Sequence, residues 1–173
     1  MSSLPARLQV WVGDRDVWVK ITGRATFTSG PDFKTLVTEL HQKGYRRFVL
    51  DVSECMLMDS TFLGLLCGLG MKLHNAGGAD AGVEILNPSP RVAELLESLG
   101  VCSIIKIVSA AVPSPPTGEA TVAESQSPTR EEIAQTSLEA HKILMSLSAE
   151  NAAKFKDVAQ FLAEDLKRIR EAS

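Results

Sequence analysis

Few side chains in this chain can act as base, nucleophile or ligand. The histidines are His41, His74 and His141, and the cysteines are Cys55, Cys67 and Cys102. No Cys-x-x-Cys pair and no His-Glu-x-x-His or Gly-x-Ser-x-Gly run occurs, so a zinc site, a dithiol redox site and a hydrolase nucleophile are not indicated. Gly64-x-x-x-Gly68-x-Gly70 lies inside a helical pattern rather than after a strand, so it does not make a phosphate loop. His41 and His74 fall in the last turns of predicted helices, where a cation suits the dipole, and His141 falls in the tail. None is placed in sequence beside a nucleophile. The expectation is a protein that is not an enzyme, with no cofactor, no metal and its cysteines buried as small apolar residues.

What remains is a constellation for recognition and modification, Asp59-Ser60-Thr61, read as the start of a helix. Asp59 in that position is an N-cap, which accounts for the carboxylate. Capping does not require two hydroxyls beside it. Phosphate on either would add a charge of about −1.5 to −2 at a helix N-terminus, where free N–H groups and the dipole tolerate it.

Several elements must position that triplet. The runs 8–12 and 17–21, joined by Gly13-Asp14-Arg15, read as a hairpin closed by Gly23. A helix follows Ser29-Gly30-Pro31, with Phe33, Leu36, Val37 and Leu40 on one face and Gly44 as its left-handed stop. Residues 48–52 form a strand leading through a short loop to a second helix over 60–76, ended by Gly77-Gly78. That helix carries Gly64, Gly68 and Gly70 at roughly 1 kcal/mol each against alanine, which implies close backbone packing, expected against a sheet. A strand at 83–86, a third helix from Ser89-Pro90 to Gly100 and a strand at 104–108 complete the order β-β-α-β-α-β-α-β. This predicts an α/β domain over residues 1–109 with a mixed sheet and right-handed crossovers.

The rest of the chain differs in composition. Residues 1–111 hold 11 basic and 11 acidic side chains, whereas 112–173 hold 7 and 10 and carry the whole net charge of −3. Such a balance gives no pull toward nucleic acid, and no apolar run is long enough for a membrane span. With no signal-peptide pattern at the N-terminus, a cytoplasmic location is expected. Residues 110–127, with Pro113, Pro115 and Pro116 among Ser, Thr and Ala, read as a linker; Pro113-Ser114-Pro115-Pro116 is read as spacer rather than ligand motif. Residues 128–173 read as a helical tail entered through Thr129-x-x-Glu132, a capping box. Ile133, Ser137, Ala140, Leu144 and Leu147 trace one stripe, and Phe155, Val158, Leu162, Leu166 and Ile169 another. One helix of about 44 residues is favoured over two folded back near Ser146-Leu147-Ser148, and a homodimer through the stripe is expected.

The run Leu50-Asp51-Val52-Ser53-Glu54-Cys55-Met56-Leu57-Met58-Asp59-Ser60-Thr61-Phe62-Leu63-Gly64 resembles the signature of STAS domains, in particular bacterial anti-sigma factor antagonists. Asp59, Ser60, Thr61, Leu63 and Gly64 match it position by position, and the resemblance extends over residues 7–108. It implies Thr61 as phosphoacceptor, with Ser60 the second choice, exposed at the helix start. It implies a partner surface of Met58, Asp59, Ser60, Thr61, Phe62 and Thr26; Phe62 is expected partly exposed, because Leu63 and Leu66 already take the core-facing positions, with packing over Met56 or Met58 as the alternative. The partners implied are an anti-sigma factor with serine/threonine kinase activity and a PP2C-like phosphatase. Two positions depart from the family: Phe62 replaces a glycine, and Thr26 replaces an acidic residue. The alternative is a STAS subunit of a larger assembly, a lipid-transport ABC complex or a stress-signalling scaffold, using the same surface for fixed docking. Nucleotide binding, reported for some STAS domains, has no phosphate loop here to support it.

Overall fold

The computed structural model describes residues 5–76, 81–109, 115 and 118–172. The hairpin forms as β1 (Arg7–Val12) and β2 (Asp16–Ala25), antiparallel with Val12 opposite Val17. Alternation sends Leu8, Val10, Val17, Val19 and Ile21 into the core. Gly23 does not close the hairpin as expected. It lies inside β2 with φ +83°, at a register shift where the strand leaves β3 (Arg47–Asp51) and pairs with β4 (Cys55–Met58). A loop was expected at 55–58; four residues are too few for a periodic signal, and the strand exists because the bulge in β2 supplies its partner.

The sheet continues through β5 (Gly82–Leu86) and β6 (Ile105–Val108) on one side of β3, in parallel. On the far side of β1 stands β7 (Thr121–Ala123), antiparallel, with Leu8 opposite Ala123. The mixed α/β architecture is the expected one. Three helices follow the predicted pattern: α1 (Gly30–Gln42), α2 (Ser60–Ala76) and α3 (Pro90–Ser98). Gly44 with φ +104° follows α1, and Ser89 caps α3 by accepting from the Val92 N–H at 3.2 Å. The expected stop at Gly77-Gly78 lies outside the described residues, as do Pro113, Ser114 and Pro116 of the proline run.

Where a free linker was expected, the chain is tied down. After β7, the Ser125 hydroxyl and the Gln126 N–H both donate to the Asp32 carboxylate in the first turn of α1. The chain thus crosses from the sheet edge to the helical face. The tail is two helices, α4 (Arg130–Leu147) and α5 (Ala149–Glu171), and not the continuous one favoured from sequence. Thr129 caps α4 as expected. Ser148 breaks the pair without glycine or proline: it is extended (φ −162°, ψ 160°), and its hydroxyl caps α5 through the Asn151 N–H. Buried Asn151 fixes the bend by donating to the carbonyls of Leu99 and Leu144, both at 3.0 Å.

One core runs from Phe48 and Leu50 of the sheet through Phe33, Leu63 and Leu66 to Ala140, Leu144 and Phe155 of the tail. The stripe expected to drive self-association is therefore packed within its own chain. Cys55 and Cys67 are buried, and burial pushes the Cys67 thiol up to about 12. Cys102, expected inside, is exposed.

Candidate functional site at the start of α2

Asp59 stands between β4 and α2 and does what its position predicts. One carboxylate oxygen accepts from the Phe62 N–H at 2.9 Å, which caps the helix. The other accepts from the Phe27 N–H at 2.7 Å and so ties in the 3-10 turn Phe27–Ser29. Burial holds this carboxyl above its ordinary range, and the N–H bonds from Phe62 and Phe27 offset that only in part. Thr26, half-buried, precedes that turn, its hydroxyl 3.0 Å from that of Thr28.

The hydroxyls beside Asp59 are not free. Thr61, expected exposed, is 2% exposed, and its Oγ1 lies 2.6 Å from Ser137 Oγ of α4. Ser60 is half-buried, with its Oγ 2.8 Å from His141 Nε2. The absence of any histidine beside a nucleophile in the sequence is thus corrected by the fold, across 81 positions. The other ring nitrogen, Nδ1, lies 2.7 Å from the Ser137 carbonyl oxygen, which can only accept. In the neutral ring the proton sits on Nδ1, so Nε2 accepts from Ser60. This is the geometry of a nucleophile and its base, but the ring is buried and packed edge-on against Phe155. In this setting the pair fastens α4 to α2.

Phe62 and Met58 also differ from expectation. Phe62 is fully buried and packs on Phe33 of α1, ring centroids 4.6 Å apart; Met58 is 1% exposed. The first turn of α2 faces both α1 and α4, so its second and third residues have no outward direction. At the sheet end of this region the exposed apolar side chains are Phe27 and Met56.

Residues 137 and 141 were not singled out as site residues from sequence, though a signal was present. Gly64-x-x-x-Gly68 presents a bare stripe on α2, and Ser137 and Ala140 present small residues on α4. A Cβ on Gly64 would stand 2.7 Å from the Ala140 carbonyl carbon, and one on Gly68 would stand 2.8 Å from Ile143 Cδ1. Gly64 and Gly68 seat a helix where the sheet was expected; of the three, Gly70 alone meets the sheet, at Ile105, the first residue of β6, and at Ile104 just before it. Among the described residues no group of three His, Cys, Asp or Glu side chains could hold a metal, and no helix is long and apolar enough to cross a membrane.

The family described as Mlab, STAS domain, matches residues 10–107, more than half of the chain. The chain belongs to the STAS domain family. The match covers the sheet from β1 to β6 with α1 to α3, and it leaves β7 and the α4–α5 hairpin outside the STAS unit. Among solved structures, the chain is similar to the anti-sigma factor antagonist SpoIIAA of Bacillus in its unphosphorylated form, at 18% identity and a TM-score of 0.50. That match spans 60% of this chain and 89% of the other. An anti-sigma factor antagonist from Mycobacterium paratuberculosis matches at 14% identity and a TM-score of 0.51, over 61% and 86% of the two chains. At these identities the likeness is one of fold. No curated protein sequence matches the chain.

Proposed function

We propose that the chain is a phosphorylation-switched, protein-binding STAS regulator of the anti-sigma factor antagonist type, and not an enzyme. The observation that carries this reading is Asp59-Ser60-Thr61 at the capped start of α2, with both hydroxyls gathered at one helix N-terminus. In this reading Thr61 is the acceptor, Ser60 the second choice, and the unphosphorylated protein sequesters an anti-sigma factor with kinase activity; a PP2C-like phosphatase resets it. Desolvating a near-dianion beside Asp59 at a cost of about 3 kcal/mol would weaken a partner more than a hundredfold. The similar solved proteins, anti-sigma factor antagonists by name and one of them in unphosphorylated form, support the class.

The test compares wild type, Thr61→Ala and Thr61→Glu as baits in the native host, with phosphosite mapping of the wild type. Phosphate on Thr61, and a kinase-like partner held by Thr61→Ala but lost by Thr61→Glu, is the expected result. Phosphate confined to Ser60 or to residues 110–127 rules Thr61 out. The second reading, a STAS subunit docked permanently in a larger assembly, is favoured by one observation: Thr61 is already committed to Ser137. It predicts a stable complex with no phosphate on the triplet in any growth condition.

A further inference from the structure

The groove between α1 and α2 accepts a helix, and here the occupant is the chain's own α4. Three glycines open it. Gly30 faces Thr136, Gly64 faces the Ala140 backbone and Gly68 faces Ile143. The contact is centred on the two candidate acceptor hydroxyls, each bonded to α4.

Docked α4 and a phosphate on Thr61 cannot coexist. A phosphoryl group needs room for three oxygens beyond Oγ1, yet Ser137 Oγ stands 2.6 Å from that atom and Thr61 is 2% exposed. Both partners have buried surroundings rather than solvent, so the charge would also lack water. The same covering keeps an external kinase from the hydroxyl.

Several features fit a contact that opens. Around the two acceptors it is made of hydrogen-bonded polar groups, Thr61, Ser137, Ser60 and His141, each of which water can satisfy on release, with buried Ala140 and Leu144 packed beyond them. Its rim is the Lys34–Glu139 ion pair, with both side chains more than a third exposed. Beyond that pair, away from Thr61, lies a cavity of about 150 Å³ lined by Lys34, His41, Leu65, Gly68, Glu139 and Ile143 among others, so the seam is not fully filled along α1. The tether at β7 and Asp32 holds α4 near the groove when it lifts.

We propose that α4 is a tethered competitor for the STAS docking surface, so that partner, kinase and α4 exclude one another at Thr61. The proposal rests on the reading of Thr61 as acceptor and adds a third, self-occupied state to the two-state switch. A partner's apparent affinity is then reduced by the fraction of chains whose groove is open. Because coupling is reciprocal, phosphate on Thr61 weakens α4 docking by the same factor that docking disfavours phosphate. The groove also specifies its partner: an amphipathic helix with a residue no larger than alanine over Gly64 and an aliphatic side chain three positions on, over Gly68.

Hydrogen exchange read by mass spectrometry on the full chain tests this without kinase or partner. Thr61→Glu places charge on the domain side, and Ala140→Glu places it on the tail side with the acceptor site intact. Both should speed exchange across residues 130–147 at least tenfold while β2, β3 and β5 keep wild-type protection; Thr61→Val should change it by less than about threefold. Persistent protection of α4 in both charged variants overturns the proposal, as does loss of strand protection together with α4 in Ala140→Glu. Failure to capture a partner in the host would count against the anti-sigma reading alone, because exchange reports docking directly.

Discussion

Phe62 shows how a residue next to a legible site can be misplaced. Its position in the first turn of α2 was evident from sequence, but the neighbour that turn would face was not. A glycine-to-phenylalanine change at a helix start suggests recognition, whereas the ring fills space against Phe33 of α1. Phe62→Ala should therefore destabilise the fold by about 3–5 kcal/mol. Denaturant unfolding measures this; an unchanged midpoint would mean that the ring is not packed as described. Asp59 was legible because its role is local: the cap acts over three residues, on the Phe62 N–H. Thr61 and Ser60 were legible as a motif but not in their environment, since their partners lie on α4, 76 and 81 residues away. His141→Ala removes the Ser60 partner and leaves the Ser137 carbonyl without its ring donor. It should raise exchange in residues 130–147 with strand protection intact; no change would show that the histidine merely fills space.

The three-glycine helix makes the corresponding point for elements. The cost of glycine in α2 predicted close packing, correctly in kind, but the sheet is the neighbour only at Gly70; Gly64 and Gly68 face α4, because pattern fixes a face and not what covers it. Gly64→Ala should favour the isolated helix by roughly 1 kcal/mol, yet its Cβ would meet backbone at Ala140. At Gly68 the Cβ would meet the far end of Ile143, a side chain able to move. Gly64→Ala should therefore free α4 in an exchange experiment while the sheet stays protected, and Gly68→Ala should do so far less; equal effects would contradict backbone contact at Gly64. The long periodic elements were readable from sequence: β1, α1, α2, α3 and the two capped stretches of tail. Missed were β4 and β7, each created by a partner strand rather than by its own pattern; the bend at Ser148 was visible only as the less favoured alternative, because buried Asn151, bonded to Leu99 52 positions away, outweighs helical propensity there. The seam between α1 and α4 also sets a pH dependence. Burial pushes the Glu139 carboxyl up, but bonds from Lys34 and Gln135 and the charges of Lys34 and Lys142 outweigh it, and the carboxyl is held below its usual value of 4.5. The folded chain binds fewer protons there than the unfolded one, so the stability is present above about pH 4.5 and lost as pH falls through the depressed value. The melting-temperature advantage of wild type over Glu139→Gln should shrink below that pH; a gap independent of pH would remove Glu139 as its source.

At the scale of the whole molecule, the decisive question is what covers the apolar stripe of the tail. Its amphipathicity was plain from sequence, and either a second copy or the domain itself could satisfy it. The fold resolves this in favour of the domain, because the linker is not a free spacer: β7 pairs with β1, and Asp32 takes hold of Ser125 and Gln126. Those contacts bring Thr129 to the end of the α1–α2 groove, where docking within the chain no longer carries the entropy of a long flexible loop. Leu144, Ala140 and Phe155 then join the core of the domain, while Leu138 and Leu166 close the hairpin between α4 and α5. The consequence for a shortened chain is the opposite of that for a tail that dimerises. Ending the protein near Val112 removes the cover from Leu65, Leu69 and the glycine face of α2, and it also strips β7 from the edge of β1. Exposed apolar surface and an unpaired strand edge are both routes to association. In sedimentation from micromolar to near-millimolar concentration, the full chain should remain monomeric and the shortened one should self-associate. A full chain that dimerises while the shortened one does not would return the stripe to the role of a dimerisation element and show that the hairpin docks between copies.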